Sequence, residues 1–228
     1  MAKAATKARV LVVDDLHIVR VGLIHLINRQ SDLTCCGEAG TVVEAQAAVA
    51  RLKPDLVLLE LRLKGGDGLE LIKSLKSQFA RLRILVFSQY DAPQYVERAL
   101  RAGALGYVVK DQAAEEMLSA LRAVLAGEVC VPRALTDRLL HTFVGTAPGT
   151  PRPGVELLTD REFQVLHLLG AGMSTRAIAA ELSLSFKTIE THRERIKRKL
   201  GLQGAAELIH YATDSGREQV SGPPPLPA

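Results

Sequence analysis

Five polar residues stand where apolar runs stop. Asp14 and Asp15 follow Val10-Leu11-Val12-Val13, and Glu60 follows Leu56-Val57-Leu58-Leu59. Ser88 follows Ile84-Leu85-Val86-Phe87, and Lys110 follows Tyr107-Val108-Val109. Three carboxylates brought to one place repel one another and call for a cation, and hard oxygen ligands select Mg²⁺ over softer metals. A hydroxyl and an ammonium beside them can hold the oxygens of a phosphoryl group. Taken singly, each acid is more simply a cap for the helix after it; recurrence at every run end favours a shared site. A second concentration of charge lies further on, where Lys187, Arg193, Arg195, Lys197, Arg198 and Lys199 stand against only Glu190 and Glu194. Such a run can neutralise nucleic-acid phosphates, or it can be an ordinary solvated helix face.

The elements around the first group supply its geometry. Strand-like runs at 9–13, 33–38, 56–61, 84–87 and 106–109 alternate with helical patterns near 17–29, 42–52, 68–78, 93–102 and 112–126. That alternation implies βαβ crossovers, hence a doubly wound, five-stranded parallel α/β sheet with helices on both faces. In such sheets ligands sit beyond the carboxyl ends of the strands, where the five polar residues fall. Gly65-Gly66-Asp67-Gly68 is not a phosphate-cradling loop, because no Gly-Lys-Ser/Thr follows it; it reads as a turn and a cap.

A length of 228 residues suits one large domain or two of ordinary size, and the composition is that of an ordinary globular chain: 47% hydrophobic, 24% charged, 4% aromatic and no Trp, with a formal net charge of +4. The longest apolar runs fall far short of the ~20 residues that span a bilayer. The N-terminal stretch lacks the apolar core and cleavage site of a signal peptide. Cys35, Cys36 and Cys130 have no metal-ligand spacing, so a reducing cytoplasm is expected.

After the strand pattern, Pro148, Pro151 and Pro153 mark a linker, preceded by a short helical stretch near 132–143. Helical patterns near 159–171, 175–182, 186–200 and 204–213 follow, with no strand signal. This second, smaller domain is all-α. Thr159 and Glu162 make a capping box, and Ser174 and Ser185 cap the next two helices. The third helix keeps Ile189, Ile196 and Leu200 on one face and charge on the other. Two helices joined by a tight turn, the second charged and exposed, make a helix-turn-helix, although a scaffold bundle would look similar.

The strings VLVVDD, PDLVLLELRLKGGDGLEL, ILVFSQYD and AGALGYVVKD resemble the receiver domain of two-component response regulators across about 8–127. LTDREFQVLHLLGAGMSTRAIAAELSLSFKTIETHRERIKRKLGL resembles the LuxR-type DNA-binding domain from about 157 to 213. The pair in this order is similar to the NarL/FixJ class. The resemblance implies a receiver at 8–127, a linker at 128–156, a DNA-binding domain at 157–214 and a disordered tail at 215–228. It implies that Asp14 and Asp15, with Glu60, hold Mg²⁺. Ser88 then matches the switch hydroxyl, Tyr107 the switch aromatic and Lys110 the phosphate-pairing lysine. Glu60 stands where the family has the aspartate that accepts the phosphoryl group, and Lys64 where a proline is common. Glu is one methylene longer, placing its carboxylate roughly 1.5 Å further out, and in-line attack tolerates little misplacement. Phosphorylation-independent or partly constitutive action is therefore expected, with Mg²⁺ binding weakened and pairing with a sensor histidine kinase in doubt.

The DNA-binding set implied is Lys187, Thr188, Glu190, Thr191, Arg193, Glu194, Arg195 and Lys197. Glu190, Thr191 and Glu194 fall where relatives contact bases: Glu can accept from cytosine and the Thr methyl can touch thymine. Lys187, Arg193, Arg195 and Lys197 are assigned to phosphates. His192 reads as a packing and hydrogen-bonding residue. The last helix in this family helps pair two domains, so a homodimer on double-stranded promoter DNA is expected, with RNA polymerase a further partner. An enzyme is not expected. The rivals are a Mg²⁺-dependent phosphotransfer enzyme, which lacks a general-base histidine at a strand end, and a degenerate receiver serving as a protein-interaction module.

Overall fold

The computed structural model describes residues 7–63, 66–90, 92–132, 136 and 154–220, with side chains to 214. The chain divides into two compact units, Met1–Phe143 and Val144–Ala228. No helix of the described residues is long and apolar enough to cross a membrane.

In the first unit β1 (Ala8–Val13), β2 (Leu33–Ala39), β3 (Leu56–Leu59), β6 (Arg83–Ser88) and β7 (Gly106–Val109) form one parallel sheet in the order β2-β1-β3-β6-β7. This is the doubly wound α/β fold that the alternation implied. Helices α1 (His17–Asn28), α2 (Val42–Leu52), α3 (Gly68–Gln78), α4 (Pro93–Ala102) and α5 (Ala114–Ala126) make the crossovers. Val10, Val12, Leu56, Leu58 and Leu85 share one core with Leu23 and Ile27 of α1 and Leu121 and Val124 of α5. The alternate residues Leu11, Val13, Val57 and Leu59 are as deeply buried, as a sheet covered on both faces requires.

Local differences have local causes. β3 stops at Leu59, so Glu60 stands just past the strand. α5 starts at Ala114 because Ala113 is still extended. A two-residue hairpin, β4 (Arg62–Leu63) with β5 (Gly66–Asp67), sits where only a turn was expected, and Asp67 does cap α3 by accepting from Leu69 N–H. Gly68 is obligatory there: a Cβ would come within 2.5 Å of the Leu61 backbone. Lys64 and Gly65 lie outside the described residues.

The expected linker is described only at its edges. Residues 133–135 and 137–153, including most of the short helix expected near 132–143, lie outside the described residues. Cys130 still belongs to the first unit, since its carbonyl accepts from Tyr107 N–H at 2.7 Å.

The second unit opens with a 3₁₀ turn (Val155–Leu157) and continues as α6 (Asp160–Gly170), α7 (Thr175–Glu181), α8 (Phe186–Leu200) and α9 (Ala205–Val220). Among its described residues it is all-helical, as expected. Leu158, Phe163, Val165, Leu166, Ile178, Leu182, Ile189, Ile196 and Leu208 fill its core. α9 runs to Val220 instead of ending near 213, which moves the start of the expected tail; 221–228 lie outside the described residues. The reason is energetic: Gly216 inside a helix costs only about 1 kcal/mol against Ala, and Arg217, Glu218 and Gln219 are good helix formers.

Candidate functional site

In-register pairing brings the strand ends to one rim. Val13 pairs with Leu59, Leu59 with Val86, and Ser88 with Val109, so the polar residues beyond them meet. Lys110 Nζ lies 2.5 Å from Asp14 Oδ2 and 2.7 Å from Glu60 Oε2. Ser88 Oγ donates to Glu60 Oε1 at 2.5 Å, and Arg62 N–H donates to the same oxygen at 3.0 Å. Leu16 N–H serves Asp14 Oδ1 at 2.8 Å. Asp14, Glu60 and Ser88 are all buried. Two buried carboxylates are tolerable because every oxygen has a donor and one ammonium lies between them. Burial works against the Lys110 charge, but the Glu60 and Asp14 carboxylates outweigh it and hold the lysine above its ordinary range.

Of the three carboxylates expected to hold a cation, Asp14 and Glu60 meet at the Lys110 ammonium. Asp15 is half-buried and takes part in none of these bonds. Among the described residues no three His, Cys, Asp or Glu side chains form a group that could hold a metal. Receiver domains as a class bind Mg²⁺ for phosphorylation. Here the Glu60 carboxylate reaches Lys110 and Ser88, and the Lys110 ammonium stands between it and Asp14. Tyr107 is buried beside the rim, its hydroxyl donating to the Tyr90 carbonyl at 2.5 Å, and Tyr90 N–H approaches Ser88 Oγ at 3.4 Å. Ser88 and Tyr107 therefore meet at one loop residue, whose ring stacks on Tyr95 of α4 at 4.3 Å between centroids. Sequence reasoning missed Tyr90, and also Arg20, which donates to the Asp14 carbonyl at 2.8 Å and to Glu38. Neither sits at a run end, so no local pattern marks them.

The second group lies along α8. Ser185 caps it, accepting from Thr188 N–H at 3.0 Å, and Ile189 and Ile196 anchor its inner face. Lys187, Thr191, Glu194 and Arg195 are exposed, whereas Thr188, Glu190, Arg193 and Lys197 are half-buried. Thr191 Oγ1 donates to the Lys187 carbonyl at 2.9 Å. Lys197 pairs with Glu194 at 2.8 Å. Arg193 Nη1 donates to Thr175 Oγ1 at 2.6 Å and to Glu190 Oε1 at 3.0 Å, a link between α7 and α8 that the sequence did not reveal. His192 packs as expected, but its Nδ1 is buried with no hydrogen-bond partner among the described residues. Burial pushes its basicity below the ordinary histidine value, and Arg161 and Arg195 add to this against the pull of Glu162.

Comparison with known proteins covers both units. Residues 10–122 match the response regulator receiver domain, and residues 156–212 match the bacterial regulatory proteins of the luxR family. The oxygen regulatory protein NreC of Staphylococcus aureus is 34% identical over 209 residues, covering 90% of this chain and 96% of that protein. The structure of the RcsB response regulator of Salmonella typhimurium aligns over 92% of this chain and 98% of its own, with 25% identity and a TM-score of 0.65. RcsB from Salmonella enterica serovar Typhimurium, bound to promoter rprA in the presence of the phosphomimetic BeF3⁻, aligns over 91% of this chain and 99% of its own. The identity there is 26% and the TM-score 0.60.

Proposed function

Because the chain belongs to the response regulators of NarL/FixJ type, a receiver domain joined to a LuxR-type DNA-binding domain, we propose that it binds promoter DNA without waiting for phosphorylation. The coarser function is settled by family: a DNA-binding response regulator of a two-component system. The observation that carries the finer reading is the 2.5 Å bond from Ser88 to Glu60, with Tyr107 buried beside it. A phosphoryl group on an aspartate would draw the switch hydroxyl inward by accepting its hydrogen bond; Glu60 does the same through a carboxylate. Its charge is about −1 where a phosphoryl group adds nearly −2, so the mimicry is partial. Mg²⁺ affinity is weak in this reading, because a cation must displace the Lys110 ammonium. The protein takes up no stable phosphoryl group, so a sensor histidine kinase is not needed to activate it, and it is not an enzyme.

In the same reading the receiver spans 8–127 and the DNA-binding domain begins at 157. A homodimer on DNA, action in the cytoplasm and contact with RNA polymerase complete it. α8 enters the major groove, where Lys187, Arg195 and Lys197 face the backbone, Thr188 lies in the same interface, and Glu190, Thr191 and Glu194 face bases. Thr191 supports this: its hydroxyl is engaged by its own helix, leaving the methyl for thymine.

The test compares the parent with Glu60→Asp and Glu60→Ala for phosphoryl uptake from acetyl phosphate and for DNA affinity. The parent stays unlabelled, Glu60→Asp is labelled, and unlabelled Glu60→Asp binds DNA more weakly than the parent. A bias of 1–2 kcal/mol corresponds to roughly 5- to 30-fold in the active-to-inactive ratio. Equal DNA affinity for parent and Glu60→Ala would mean that Glu60 merely disables the switch.

A further inference from the structure

Arg193 has the charge and the helix position of a phosphate contact, but its side chain is only 17% exposed. Its guanidinium is already used. Nη1 donates to the hydroxyl of Thr175, the first residue of α7, and to the carboxylate of Glu190, one turn earlier on α8. A guanidinium stays charged at every accessible pH and offers donors in a rigid plane, so it can hold two acceptors in fixed directions at once. Glu190 needs such a partner. A glutamate loses much rotamer freedom when ordered, and its negative charge is repelled by the phosphates lining the groove. Arg193 reduces both penalties.

We propose that Arg193 is a positioning residue: it fixes the Glu190 carboxylate for reading a base edge, and it does not contact a phosphate. The ligand chemistry is the exocyclic amino group of cytosine, the donor a carboxylate recognises in the major groove. The neighbouring pair of Lys197 and Glu194 is different in kind. Glu194 is 66% exposed, and among the described residues its bond to the point charge of Lys197 joins two positions of α8 itself, without a link to α7. This inference rests on α8 lying in the major groove.

The experiment uses the full chain, a duplex that the parent retains, and derivatives of that duplex with each base pair changed in turn. The variants are Arg193→Ala, Arg193→Lys, Glu190→Gln, Thr175→Val and, for the backbone, Lys187→Ala; helical circular dichroism and melting show that each is folded. Arg193→Ala should keep the parent's slope of log K against log salt. It should lose discrimination, about 5-fold or more, at the same base pair as Glu190→Gln. Arg193→Lys should lose it too, because the lysine arm ends one bond earlier and its donors are not held in a fixed plane, and Thr175→Val should lose part of it. A slope flattened by about 1 in Arg193→Ala, with base preference intact and Arg193→Lys behaving as the parent, is the phosphate result and overturns the proposal. Loss at a base pair that Glu190→Gln leaves untouched also overturns it. If Lys187→Ala keeps the slope and no variant changes any base preference, the placement of α8 fails, and the positioning role falls with it.

Discussion

At the scale of residues, the rim sets two carboxylates against one ammonium, with a hydroxyl and two backbone N–H groups as the remaining donors. Asp14 and Glu60 share the Lys110 ammonium, which is 11% exposed, and Ser88 completes Glu60. Removing one member of a buried set costs more than the set contributes, since the survivors are left unpaired in a poor solvent. Lys110→Met is therefore expected to destabilise the first unit by about 3–5 kcal/mol. Urea unfolding should show a lower midpoint at unchanged slope, and adding Glu60→Gln should recover part of the loss. A Lys110→Met variant as stable as the parent would show that the ammonium is not what makes the buried acids tolerable. The run-end positions of Asp14, Glu60, Ser88 and Lys110 were legible because each follows an apolar run. Their pairing was not, because it depends on side-chain reach across strands distant in sequence.

At the scale of elements, the capping box of α6 does more than start a helix. Glu162 accepts from Thr159 N–H at 2.9 Å and from Lys199 Nζ at 2.7 Å, which ties the start of α6 to the end of α8. Burial alone would raise this carboxyl, but Lys199 and the Thr159 backbone outweigh it and hold Glu162 below its ordinary range. A carboxyl depressed on folding stabilises the fold above its ordinary value of 4.5, and that contribution is lost as pH falls below it. His192, also depressed, favours the unfolded chain once pH drops below 6.5, where only the unfolded form takes up a proton freely. Hydrogen exchange in the full chain should show the opening free energy of α6 and α8 falling from pH 7 to 5 through His192 and further below 4.5 through Glu162. An opening free energy constant across that range would contradict both assignments. The box was visible in Thr159 and Glu162, three residues apart. Lys199, 37 residues away, was not. Nor was the role of Gly170, the last residue of α6. A Cβ there would come within 2.4 Å of the Ala212 carbonyl, so glycine lets α6 and α9 approach.

At the scale of the whole molecule, a receiver unit and a helix-turn-helix unit share one chain. Helix-turn-helix dimers meet half-sites about one DNA turn apart, so footprinting should reveal dyad-like symmetry with centres roughly 10 base pairs apart. DNA should also promote self-association in sedimentation. Saturation by a monomer on one unsymmetrical half-site would contradict the dimer. The sequence by itself determined the fold class, the order of the two units, the caps and the polar residues at the strand ends. These follow from apolar period, turn chemistry and near-neighbour hydrogen bonds, which are properties of short windows. The tertiary structure decided how charges are spent. Lys110 serves two acids within the rim, and Arg193 serves Thr175 and Glu190. A charged side chain is committed by whichever partner lies within about 3 Å of it in a low-dielectric setting, and that partner is chosen by packing between segments far apart in the chain.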